Sequence, residues 1–228
     1  MRIAGTLIWG GLCLAAGASA GVYQLDDGSG ESSLGCSGCN IIWLNAFQSE
    51  DGSTDIVSID IAFGGTDLLN SLDPPPNGTP IVIYWWSDPT DDGDPFDAVL
   101  EGSLAGAIQA RGTDTFLNFA LTTAFHVPAG EWFFLGFASH DFAVARDVSS
   151  DAGRSWIAIW DNGNPADPGN LASGATLATF AGVGFPGNAL IRGNGVPAGA
   201  APASTPEPAG FLLAGAGIAA IVSLRRRS

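Results

Sequence analysis

Between residues 55 and 63 apolar side chains recur at every second position. Val57, Ile59, Ile61 and Phe63 fall on one side, while Ile56 and Ala62 flank Ser58 and Asp60 on the other. A period of two belongs to a strand with one face on a core; on a helix the same set would scatter around the axis. The pattern returns at 115–127, where Leu117, Phe119 and Leu121 alternate with Asn118, Ala120 and Thr122, and residues 132–138 and 155–160 read as further strands. Residues 81–86 are continuously apolar and short, which predicts a strand covered on both faces. Residues 40–47 and 188–192 read as outer strands, 22–25 as a first strand, and 99–110 as either a strand or one helical turn. The turn Pro128-Ala129-Gly130 is expected to join 115–127 and 132–138 as a hairpin. Short strands separated by Gly/Pro/Asn/Asp clusters predict an all-β fold, a two-sheet antiparallel β-sandwich with jelly-roll-like character.

The two ends follow a different grammar. Arg2, an apolar run over 3–16 and the small-x-small triplet Ala18-Ser19-Ala20 form a signal peptide, with cleavage expected after Ala20. At the other end Thr205-Pro206-Glu207-Pro208 precedes the uncharged run 209–224 and then Arg225, Arg226 and Arg227. Pro206 and Pro208 stop any helix from extending upstream. The apolar run would make a helix of about 24 Å against a hydrocarbon thickness of roughly 30 Å, and its glycines and alanines make it a weak anchor. The terminal arginines are expected to stay cytoplasmic, leaving the rest of the chain outside.

This tripartite tail resembles the PEP-CTERM sorting signal of exported Gram-negative proteins. The resemblance covers residues 205–228 and implies processing by exosortase, a membrane-embedded transpeptidase. It implies no activity for the domain upstream. The expected organisation is a signal peptide at 1–20, a β-sandwich at 21–192, a Pro/Ala/Gly linker at 193–204 and a sorting signal at 205–228 with a transmembrane helix at 209–224. Export would need signal peptidase and exosortase as partners, with the C-terminal helix holding the chain in the inner membrane until it is processed. The mature protein would then reside in the cell envelope, on the outer surface or in extracellular matrix.

Charge narrows the partners. The eight basic residues, all arginine, face 23 acidic ones, for a formal net charge of −15. Outside the two signals only Arg111, Arg146, Arg154 and Arg192 are cationic. Such a surface repels nucleic acid and anionic lipid. The mature chain keeps Cys36 and Cys39, and a disulfide suits the oxidising side of the membrane. A redox pair would need a helix after the motif, whereas 40–47 reads as a strand.

The densest acidic run is Asp88-Pro89-Thr90-Asp91-Asp92-Gly93-Asp94-Pro95. On a calcium-loop template Asp88, Thr90 and Asp92 occupy the first, third and fifth positions, and Gly93 supplies the sharp turn. Asp94 lies beside them and Asp97 is an additional oxygen donor, but Val99 stands where the bidentate carboxylate belongs. Two readings therefore stand, a Ca2+ site at Asp88, Thr90, Asp92 and Asp94, or a solvated acidic loop with no cofactor.

Six tryptophans follow the signal peptide. Core packing accounts for most such rings, and neighbours such as Trp85 and Trp86 must point to opposite faces of a sheet. For a glycan platform the candidates are Trp86 with Asp88, and Trp160 with Asp161 and Asn162. No nucleophile elbow is present, and His140-Asp141 would point to opposite faces as adjacent strand residues. No catalytic residue is assigned, and the chain is not expected to be an enzyme. The expected function is that of an exported, non-catalytic structural or interaction protein of the cell surface or exopolysaccharide matrix. A carbohydrate-binding β-sandwich module with exopolysaccharide as partner is the alternative, and a glycan-active enzyme is a third class.

Overall fold

The computed structural model describes residues 21–63, 76–140, 142–161 and 163–200. Described residues up to Ala198 belong to one compact unit, and Gly199 begins a second. The signal-peptide residues Ala18 and Ala20, the sorting residues Pro206, Glu207, Pro208, Arg225, Arg226 and Arg227, and the helix at 209–224 lie outside the described residues. Among those described, no helix is long and apolar enough to cross a membrane.

The chain is all-β, and its sheets are antiparallel. In order the strands are β1 (Gly21–Tyr23), β2 (Ser32–Leu34), β3 (Asn40–Gln48), β4 (Asp55–Ile61), β5 (Pro80–Ser87), β6 (Val99–Ala107) and β7 (Leu117–His126). They continue as β8 (Trp132–His140), β9 (Val144–Asp147), β10 (Ser155–Trp160), β11 (Thr176–Thr179), β12 (Asn188–Ala189) and β13 (Ile191–Val196). A four-stranded sheet runs β1-β13-β4-β7, a six-stranded sheet runs β11-β10-β3-β8-β5-β6, and β12-β9-β2 form a small third sheet.

The main core lies between the two larger sheets, with Ile56, Ile59, Ile61 and Ile191 on one side and Ile41, Trp43, Phe133, Leu135 and Phe137 on the other. Tyr23 packs edge-on against Phe133 with centroids 5.1 Å apart. Six-stranded-sheet residues of opposite parity, including Ile42, Leu44, Trp86, Phe134 and Trp160, form a second cluster with Ala98 and Leu171. The outer face of this sheet is thus covered around Trp86 and Trp160 by the connections that carry short 3-10 turns at Pro95–Asp97 and Leu171–Ser173.

Several expectations need correction. Residues 40–47 are not an outer strand. β3 lies between β10 and β8 and is buried on both faces because Ile41 and Trp43 serve one core while Ile42 and Leu44 serve the other. β7 and β8 do not form a hairpin, since β7 pairs with β4 and β8 pairs with β3 and β5. The 128–130 turn instead carries the chain from one sheet to the other. In β4 the inward set is Ile56, Ile59 and Ile61 rather than Val57. Pairing with β7 and with β13 both skip Val57, and such a bulge switches the face of the residues that precede it. The sandwich also continues past residue 192, because β13 runs to Val196 between β1 and β4.

Candidate functional site

The acidic loop after β5 is built around Asp88, whose residue is only 5% exposed. Its carboxylate accepts from the Thr90 hydroxyl at 3.3 Å, the Asp91 amide at 3.1 Å and the Gly93 amide at 2.7 Å. Asp91 takes a left-handed φ of 56° and accepts from the Trp132 amide at 2.7 Å, which ties the loop to β8. Asp94 caps the 3-10 turn at Pro95–Asp97 by accepting from the Phe96 amide at 3.0 Å.

These bonds divide the residues assigned to calcium. Thr90 donates to the Asp88 carboxylate, and Asp94 caps the 3-10 turn. Asp97 takes the place beside Asp88 and Asp92, where one carboxylate oxygen from each lies within 4.8 Å of the others. Three hard oxygens at that separation could hold a divalent cation. A second carboxylate set, Asp27, Glu31 and Asp147, meets the same spacing. Residues so distant in the chain leave no local motif, and only the fold unites them.

Asp147 is fully buried and accepts from the Asp27 amide at 3.2 Å and the Ser149 amide at 2.7 Å, and it shares the one Ser149 hydroxyl hydrogen with Asp27, at 2.7 Å and 3.0 Å. Hydrogen bonds from the Ser29 hydroxyl, the Ser29 amide and the Ser149 hydroxyl hold the Asp27 carboxyl below its ordinary value. Next along β9, Arg146 is 6% exposed and lines an open groove of about 670 Å³ with Glu31, Ser32, Ser149 and Phe185. It donates to the Pro186 carbonyl at 2.9 Å and the Ser32 hydroxyl at 3.2 Å, while its Nε has no acceptor among the described residues. Burial lowers the pKa of this guanidinium. Cys36 and Cys39 are disulfide-bonded between β2 and β3.

Neither ring proposed for sugar stacking offers a platform. Trp86 is 0% exposed and Trp160 is 5% exposed. Trp86 donates its indole N–H to the Pro168 carbonyl at 2.8 Å, and Trp160 lies 3.4 Å from the Ser173 hydroxyl. Both sit beneath the loops that cover the outer face of the six-stranded sheet. Asn162 and Asp141 lie outside the described residues, and His140 is exposed at the end of β8.

Trp85, on the opposite face, is the half-buried member of the pair. It lines a groove of about 350 Å³ with Ser87, Glu101, Thr123, Phe125 and His126. His126 is more than a residue beside a turn, because its Nδ1 lies 2.6 Å from Asp55 Oδ1 across the β4–β7 pair.

No protein-family model and no curated protein matches this chain. Among solved structures it is similar to the cysteine protease and lectin-like domains of Cwp84, a surface layer associated protein of Clostridium difficile, at 14% identity and a TM-score of 0.43. The match covers 78% of this chain and 36% of that one, so the chain spans little more than a third of that structure's length. A likeness at this level carries no functional assignment.

Proposed function

We propose that this is an exported protein of a Gram-negative envelope, sorted by exosortase, whose β-sandwich has a non-catalytic structural or interaction role at the cell surface or in the exopolysaccharide matrix. The observation that carries this reading is the amino-acid sequence of the tail, Pro206-Glu207-Pro208, then the uncharged run 209–224, then Arg225 to Arg227. Three further features support it. Ala18-Ser19-Ala20 supplies a signal-peptidase site, the Cys36–Cys39 disulfide suits an oxidising compartment, and the net charge of −15 favours solubility outside the cell.

Mass spectrometry of the chain from an exosortase-bearing Gram-negative host and from its exosortase-deleted sibling tests the proposal. The parent strain should yield a surface or matrix product that starts at Gly21 and lacks the arginine tail. The deletion strain should retain the tailed form in the inner membrane. Uncut chain in the cytosol of the parent strain would refute it.

A further inference from the structure

We propose that the groove between the free edges of the two sheets binds a neutral pyranose residue of a polysaccharide chain. This adds a ligand class to the surface role proposed above. It is tested on purified protein, so a failure of sorting and a failure of binding are separate results.

Among the described residues β6 ends the six-stranded sheet and β7 ends the four-stranded one. The two edges close on each other at Gly106, where a Cβ would stand 2.7 Å from the Phe119 ring. Toward the other end they part, and both strands are irregular there. Pairing of β5 with β6 passes from Trp85↔Gly102 to Trp86↔Leu100 and leaves Glu101 without a counterpart. Pairing of β4 with β7 passes from Ile56↔Phe125 to Ser58↔Ala120, so residues 121–124 of β7 stand against the single residue Val57. Bulges re-aim side chains and recur beside binding sites. Here they turn Glu101 and Thr123 toward one groove.

The aromatic wall is fixed in place. A Cβ on Gly102 would lie 2.2 Å from Trp85 Cζ2 and 2.6 Å from Cε2, so the indole occupies space that only glycine leaves open. Around it stand groups that read hydroxyls. Glu101 accepts from the Ser87 hydroxyl at 2.6 Å, which engages one of its two carboxylate oxygens. The bond between His126 and Asp55 orients the imidazole. A ring plane beside a carboxylate, hydroxyls and an imidazole suits a sugar, whose C–H face is apolar and whose rim is polar. Glu101, with Asp55 behind His126, disfavours an anionic sugar.

A peptide strand added to a free sheet edge is the rival occupant. It would need an uninterrupted row of edge amides and carbonyls, and the bulges at Glu101 and at 121–124 break that row in both edges.

Isothermal titration of the purified full chain in detergent would use cellohexaose, maltohexaose and mannohexaose, with hexagalacturonate as the anionic control. At least one neutral oligomer should bind saturably, and hexagalacturonate should not. Trp85→Ala should weaken that binding by about tenfold or more, as expected when an anchoring ring is truncated. If Trp85→Ala does not fold, Glu101→Ala, on an exposed bulge, should still lose severalfold in affinity while keeping the wild-type circular dichroism spectrum. Absence of binding by all three neutral oligomers would overturn the proposal. So would equal affinity in the wild type and the Glu101 variant, or preference for the galacturonate.

Discussion

Ser155 and Asn45 face each other across the β10–β3 pair, and the serine hydroxyl donates to Asn45 Oδ1 at 2.6 Å in the fully buried interior. The Asn45 amide group then donates to the carbonyls of Ala189 at 3.0 Å and Ile191 at 2.9 Å. Ala189 returns a bond from its own amide to Ser155 Oγ at 2.9 Å. The six-stranded sheet is thereby tied to β12 and β13 by a polar clasp with each of these groups paired, where an unpaired group would be costly.

Asn45→Leu removes the donors to two buried carbonyls and should destabilise the fold by about 3 kcal/mol. Asn45→Asp should cost more at neutral pH, because a carboxylate cannot donate to either carbonyl and would carry a buried charge. Urea titration checks both, with midpoints shifted down in that order and slopes unchanged. Equal midpoints for the wild type and the aspartate variant would show that the clasp contributes nothing.

Gly102→Ala should move the Trp85 ring. The new Cβ cannot coexist with ring atoms at 2.2 Å and 2.6 Å, so the indole must swing outward or β6 must shift, at about 1–3 kcal/mol. A red-shifted tryptophan emission and a lower thermal midpoint are expected. Ser103→Ala, on the exposed face of the same strand, should change neither. Unchanged emission in Gly102→Ala would mean that the ring does not depend on the glycine.

Reduction of Cys36–Cys39 should weaken the domain without dissolving it. The bridge spans a sequence separation of three, and closing so short a loop contributes about 2 kcal/mol by chain-entropy arithmetic. The two cysteines pack only at the border of the main core. Dithiothreitol should lower the urea midpoint of the wild type while the transition stays cooperative, and a Cys36→Ser/Cys39→Ser variant should match the reduced protein.

How far the fold could be read from the residues depends on whether a signal is local. Alternation at 55–63 marked a half-buried strand, and 155–160 matched β10 at both ends. The run Ile41-Ile42-Trp43-Leu44 carried the double-sided apolar signature of a central strand as plainly as 81–86 did, yet the length of a run does not say which strands flank it. Sheet membership was also out of reach. The 128–130 turn has hairpin chemistry, but β7 and β8 are separated by the sandwich interior, and tertiary packing outweighed the turn.

Trp85 and Trp86 show the same limit at the candidate site. Period two requires them to point apart, but only the covering loops around Pro95 and Leu171 decide which face is closed. Asp27, Glu31 and Asp147 were illegible for a similar reason, since β9 meets the first loops only after folding. Short motifs fared better in part. Asp88 and Asp92 converge with Asp97, and Thr90 and Asp94 make hydrogen bonds within the turn.

Asp27 gives the domain a predictable acid response. Its carboxylate accepts from the Ser29 hydroxyl at 2.8 Å, the Ser29 amide at 3.0 Å and the Ser149 hydroxyl at 3.0 Å. These bonds favour the ionised form and lower the pKa from its ordinary 3.8. A carboxyl lowered by folding stabilises the folded state fully above the unfolded value, and that contribution is lost as the pH falls through the lower folded value. Asp27→Asn should therefore unfold at lower urea than the wild type at about pH 6, with the gap between the two midpoints closing as the pH falls below the ordinary carboxyl value of 3.8. The residue is exposed, so added salt should narrow the gap near neutrality. A gap that stays constant through the acid range would mean that the carboxylate's charge is not what these serines hold.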